Sequence, residues 1–150
     1  MAGRVTFAAL LAAAAVASAA TAARTLLADP VRTPGVRNSA VTQRNIHETI
    51  CVSGWTDTIR PPSSYTDALK LKQMREYHVR GTKSDYEEDH LISLELGGHP
   101  TSKKNLWPEP YPRARAVDVI ERRLNRAVCN GTMTLRAAQR EIARVKHEQG

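Results

Sequence analysis

Aromatic residues are scarce in this chain. They make up 5% of its 150 residues, and the one phenylalanine, Phe7, lies among the first 22. What remains, Trp55, Trp107, Tyr65, Tyr77, Tyr86 and Tyr111, suits the modest core of one small domain and excludes a multidomain machine. Cysteine is scarcer, with Cys51 and Cys129 alone and no Cys-x-x-Cys pair, so a zinc ribbon is excluded. No internal repeat is present, which excludes a solenoid. Acidic residues are in deficit, 15 against 22 Lys and Arg, and the formal net charge of +7 favours polyanionic partners.

The N-terminus carries one early positive charge, Arg4, then an alanine-rich apolar stretch and small-residue sites such as Ala20-Thr21-Ala22. This pattern reads as a cleaved secretory signal peptide over residues 1–22, and the apolar stretch is too weak to anchor firmly in a bilayer. The mature chain is therefore expected in the periplasm or the medium, without stable membrane association and as a monomer. An oxidising compartment pairs an even number of cysteines, so a Cys51–Cys129 disulfide is predicted.

Residues 23–45 are polar, broken by Pro30, Pro34 and Gly35, and read as a flexible lead-in to a domain over 46–150. Ile50 to Val52 and Trp55 to Ile59 read as short strands, the second by alternation. Ser64 to Asp67 has capping-box spacing ahead of Ala68, Leu71 and Met74, which predicts a helix over 65–78. Residues 86–96 read as a strand running into Gly97-Gly98, and Asn105 to Trp107 as a second strand stopped by Pro108. Val117, Ile120, Leu124 and Val128 predict an amphipathic helix ending at Asn130-Gly131. Leu135, Ala138, Ile142 and Val145 predict another, capped by Thr134. The class is α+β.

The stretch Glu88-Asp89-His90-Leu91-Ile92-Ser93-Leu94-Glu95-Leu96-Gly97-Gly98, followed by Asn105-Leu106-Trp107-Pro108-Glu109 and a helix, resembles the HNH nuclease family. The resemblance implies a ββα-metal (His-Me finger) core, a β-hairpin plus a helix, with flanking helices. The wider span, including Cys51-Val52-Ser53-Gly54-Trp55 and Ile59 to Tyr65, is similar to small exported bacterial proteins that carry this core. Phosphodiester hydrolysis needs an activated water and a cation to neutralise charge developing on the phosphate. On the resemblance His90 is the general base, Asp89 ligates the metal, and Asn105 braces the loop that holds the base. The cofactor implied is a divalent ion, Mg²⁺ first, with Mn²⁺ or Zn²⁺ as alternatives.

One position departs from the family pattern. Where a third His or Asn is expected on the helix, the chain has Ala114, so Asp118 and Glu121, at i and i+3, are the acidic substitutes. Asp118 is expected to face Asp89, with Glu121 in its place if the helix is rotated. Lys103, Lys104, Arg115 and Arg122 follow the motif closely and suit phosphate backbones without reading sequence. Together these residues imply an exported, metal-dependent endonuclease acting on DNA, with RNA as the alternative substrate. The rival reading, drawn from the missing ligand, is a non-catalytic nucleic-acid-binding module on the same scaffold.

Overall fold

The structure, a computed structural model, describes residues 26–148, so the signal-peptide assignment lies outside the described residues. It is an α+β domain built on one antiparallel hairpin, β1 (Tyr86–His90) and β2 (Leu106–Pro110). Among the described residues there are four α-helices, α1 (Trp55–Ile59), α2 (Ser63–Glu76), α3 (Tyr111–Cys129) and α4 (Leu135–Glu148), of which α2 and α3 pack on both strands. Register pairs Asp89 with Trp107 and His90 with Leu106. Among the described residues no helix is long and apolar enough to cross a membrane.

The amphipathic helices follow their apolar periodicity. Val117, Leu124 and Val128 of α3 pack against Leu135, Ala138, Ile142 and Val145 of α4, closing over Val41, Ile46, Ile50, Ile92 and Leu96. A second cluster places Trp107 under Ala28 and Leu91, with Tyr77 at a ring-centroid distance of 6.1 Å. Helix α2 starts after Pro61-Pro62, whose fixed φ suits a helix entrance, and Gln73 ties it to the hairpin. Gln73 Nε2 donates to the carbonyls of Lys103 (3.0 Å) and Leu106 (2.9 Å).

Several expectations from sequence are corrected. Trp55 to Ile59 is helical: the alternation that marked a strand also places Trp55 and Ile59 at i and i+4, and no neighbouring strand is there to pair with. Residues 50–54 form turns rather than a strand. Strand β1 stops at His90; residues 91–94 are all buried, so no polar face remains to define a strand, and the chain turns through a 3-10 segment at Leu94–Leu96. Strand β2 passes through Pro108 to Pro110, which a two-stranded ribbon permits because Pro108 needs no donor on its free edge.

The segment from Leu26 to Asn45 is not a loose lead-in. It has almost no regular structure, yet its backbone is bonded to the rest of the domain along its length. Ala28 N donates to Lys146 O (3.1 Å), Gly35 N to Lys104 O (3.0 Å) and Asn38 N to Gly97 O (2.8 Å), and Val36 O accepts from His99 N (2.8 Å). Thr33 and Tyr77 share a hydroxyl hydrogen bond of 2.6 Å. These partners are distant in sequence, so composition and periodicity give no sign of them.

Cys51 and Cys129 form the disulfide, with Cα atoms 5.6 Å apart and a separation of 78 positions in sequence. It joins the turns before α1 to the last residue of α3. Replacing both cysteines by serine is expected to lower unfolding stability by about 2–4 kcal/mol in urea titrations. A loss below about 0.5 kcal/mol would show that packing alone holds this junction.

Candidate active site

Strand β1 ends in the two residues that matter most, Asp89 and His90, on the wall of a polar cleft of about 290 Å³. Thr56 and Arg60 enter it from α1 and its C-terminal end, Ser93 and Glu95 from the loop, and Asp118, Glu121 and Arg122 from α3. His90 is 6% exposed, and its Nε2 lies 2.9 Å from the Pro100 carbonyl oxygen. A carbonyl only accepts, so Nε2 carries the hydrogen and the lone pair of the neutral ring is on Nδ1. Burial pulls the His90 pKa below the ordinary histidine value, against the opposing effects of Pro100 and the Asp89 charge. The ring is therefore neutral at pH 7.

Asn105 holds the loop that carries Pro100. Its side chain is fully buried and makes four backbone hydrogen bonds. Oδ1 accepts from Val36 N and Ile92 N, both 3.1 Å, and Nδ2 donates to Ile92 O and His99 O, both 3.0 Å. The loop also needs a bare Gly98, since a Cβ there would lie 1.7 Å from the Ile92 carbonyl oxygen. Asn105 is a positioning residue and does not itself line the cleft.

The acidic residues meet on a cation that the sequence reading did not single out. Lys146, from the last turn of α4, is fully buried and its ammonium contacts Asp89 Oδ2 directly. It donates to the His90 carbonyl at 2.7 Å and lies 2.7 Å from Glu121 Oε1 and 3.8 Å from Glu109 Oε2. Arg113 pairs with the other Glu109 oxygen and donates to Val145 O at 2.9 Å. Burial opposes each charge here. For Asp89 the Lys146 ammonium overrides it and holds the carboxyl below its usual range. For Glu109 and Glu121 burial prevails and raises both. For Lys146 the three carboxylates prevail and the pKa lies above the ordinary lysine value. Glu88, on the same strand, has both carboxylate oxygens buried and unpartnered, and burial pushes it up to about 8.

The expected residues divide accordingly. Asp89, His90, Asp118, Glu121 and Arg122 share the cleft. It is Glu121 and not Asp118 that joins Asp89, because Glu121 lies in the buried stripe of α3 between Val117 and Leu124 while Asp118 is one residue round the helix. Lys103 and Lys104 are exposed and line a different cleft, with Arg32, Lys72 and Tyr77. Arg115 is exposed, with its guanidinium 5.8 Å from the Tyr111 ring centroid. Trp107 is fully buried, 5.8 Å from the Arg113 guanidinium. Glu109, Arg60 and Lys146 were missed. Signals existed for two of them: Lys146 falls four residues after Ile142 on the apolar stripe of α4, and Glu109 alternates with Trp107 along β2.

These donors do not suit a divalent ion as they stand. Asp89 and Glu121, its first ligands, share the Lys146 ammonium, and a second cation in the same cage would be repelled. Among the described residues no group of three or more His, Cys, Asp or Glu side chains is arranged to hold a metal ion. Asn105→Ala would strand two buried N–H groups and two carbonyls, and is expected to cost about 3 kcal/mol or more in urea unfolding. It should also move the His90 titration, followed by NMR, up toward 6.5 as the loop loosens. A cost under about 1 kcal/mol with an unchanged His90 titration would contradict the bracing role. Compared with protein-family models, curated proteins and solved structures, the chain finds no match in any of the three.

Proposed function

We propose that the chain is a phosphodiester hydrolase of the HNH type, acting on nucleic acid outside the cytoplasm, with His90 as its general base. The observation that carries this reading is the fixed tautomer of a neutral imidazole in a polar cleft: Nε2–H is tied to Pro100, the loop is tied by Asn105, and Nδ1 keeps its lone pair. In the proposed reaction Nδ1 takes a proton from the attacking water, its oxygen bonds to phosphorus as the bond from phosphorus to the leaving oxygen breaks, and the leaving oxygen takes a proton from solvent. Arg60 and Arg122, both exposed and both lining the cleft, hold the phosphate. The hairpin followed directly by α3 is consistent with the ββα layout, and the disulfide with an oxidising compartment.

A second reading is favoured by one specific observation, the Lys146 ammonium between Asp89 and Glu121. On that reading the scaffold binds nucleic acid without cutting it. Plasmid cleavage and fluorescence anisotropy on the same preparations separate the two. With EDTA, Mg²⁺ or Mn²⁺ present in turn, His90→Ala is expected to reduce cleavage by roughly 10²–10⁴-fold while DNA affinity stays within about twofold. If wild type and His90→Ala bind DNA alike and neither cleaves it in any of the three conditions, the hydrolase reading fails and the binding module stands.

A further inference from the structure

The resemblance to HNH nucleases calls for a divalent cation beside Asp89, and the chain already places a cation there. We infer that Lys146 is a built-in counter-cation: its ammonium fills the place a divalent ion would take between Asp89 and Glu121, and losing it would turn the cluster into a divalent-cation site. The inference concerns ion occupancy and does not depend on whether the cleft cleaves phosphodiesters.

Three features support it. The oxygens around Lys146 Nζ are those a hard cation would take: carboxylates of Asp89, Glu121 and Glu109 and the His90 carbonyl. They come from the ends of β1 and β2 and from α3, so the cage is assembled by the tertiary fold and not by one flexible loop. Lys146 is also not a surface side chain that has folded inward. It is 0% exposed, it falls on the buried stripe of α4 with Ile142 and Val145, and its own carbonyl accepts from Ala28 N at 3.1 Å. Withdrawing the ammonium would leave it buried and unpaired, or would require the end of α4 to part from the 26–45 segment. Arg113, fixed to Glu109 and to the Val145 carbonyl, neutralises the outer side of the same cluster and leaves the inner oxygens to Lys146.

The test uses the full oxidised chain and Mn²⁺ alone, read by calorimetric titration and by paramagnetic broadening of backbone amides. Wild type is expected to show no saturable binding below millimolar Mn²⁺ and no broadening centred on Asp89 and Glu121. Lys146→Met keeps the apolar stem and removes the charge. It is expected to bind one Mn²⁺ per chain at least about 100-fold more tightly than wild type, with broadening at Asp89 and Glu121, and adding Glu121→Gln should remove that gain. If Lys146→Met does not fold in metal-free buffer, the same inference predicts that millimolar Mn²⁺ restores the folded spectrum. Micromolar binding by wild type at Asp89, a folded Lys146→Met with no gain in affinity, or an unfolded one that Mn²⁺ does not rescue would each overturn it. The hydrolase reading stands or falls separately, on His90.

Discussion

The ion cluster around the Lys146 ammonium is the constraint on which the rest of this small domain depends. One buried nitrogen contacts side chains from β1, β2 and α3 and the backbone at the end of β1, while belonging itself to α4. Burying an ammonium and three carboxylates is costly, and the arrangement is tolerable only when every element brings its partner into place. Removing one member of such a group leaves the others uncompensated, which typically costs about 3–5 kcal/mol. The cluster thus fixes which face of α3 meets the hairpin. With Glu121 directed at Lys146, Val117 and Leu124 are carried into the core and Asp118 is left at the cleft wall.

The cleft inherits its geometry from that arrangement. Asp89 faces the ammonium, and the next residue, His90, is held at its carbonyl by Lys146 and at its ring by Pro100. The loop from Leu91 to Lys104 returns to Asn105, whose amide bonds to Ile92 and His99 close it. The belt of residues 26–45 bonds to both the loop and the end of α4, so the site and the cluster are clamped from outside by one segment. Neutral imidazole, fixed tautomer and two nearby guanidinium groups follow from packing, without any loop having to close.

Much of this was legible in sequence, and the rest was hidden for physical reasons. Helices α3 and α4 were readable because amphipathic helices carry their packing in their own periodicity; α2 forms where expected but buries Leu69 and Met74, while Leu71 and Ala68 of the expected stripe are exposed. The pairing of Cys51 with Cys129 followed from their even count and the expectation of an oxidising compartment. The Asp89-His90 and Asn105 positions stood out through the motif, and the Asn105 side chain bonds to the backbone of Ile92 and His99. Trp55 to Ile59 misled because a five-residue stretch satisfies both periods. The 26–45 belt was invisible because its order comes from hydrogen bonds to residues 44 or more positions away, and local composition does not encode such partners. Lys146 was overlooked because a basic residue in the last turn of a helix ordinarily favours the dipole and faces solvent. Its place on the apolar stripe was the one sign that it turns inward.

The most direct test of this account is the ionisation state of Lys146 itself. In a lysine-labelled ¹⁵N spectrum of the wild-type chain, assigned through Lys146→Arg, the Nζ signal should show slowly exchanging protons and remain that of an ammonium above pH 10.5, the ordinary lysine value. A Lys146 signal that exchanges freely with solvent and titrates at or below 10.5 would show the ammonium outside the carboxylate cage, and the organisation described for both fold and cleft would be wrong.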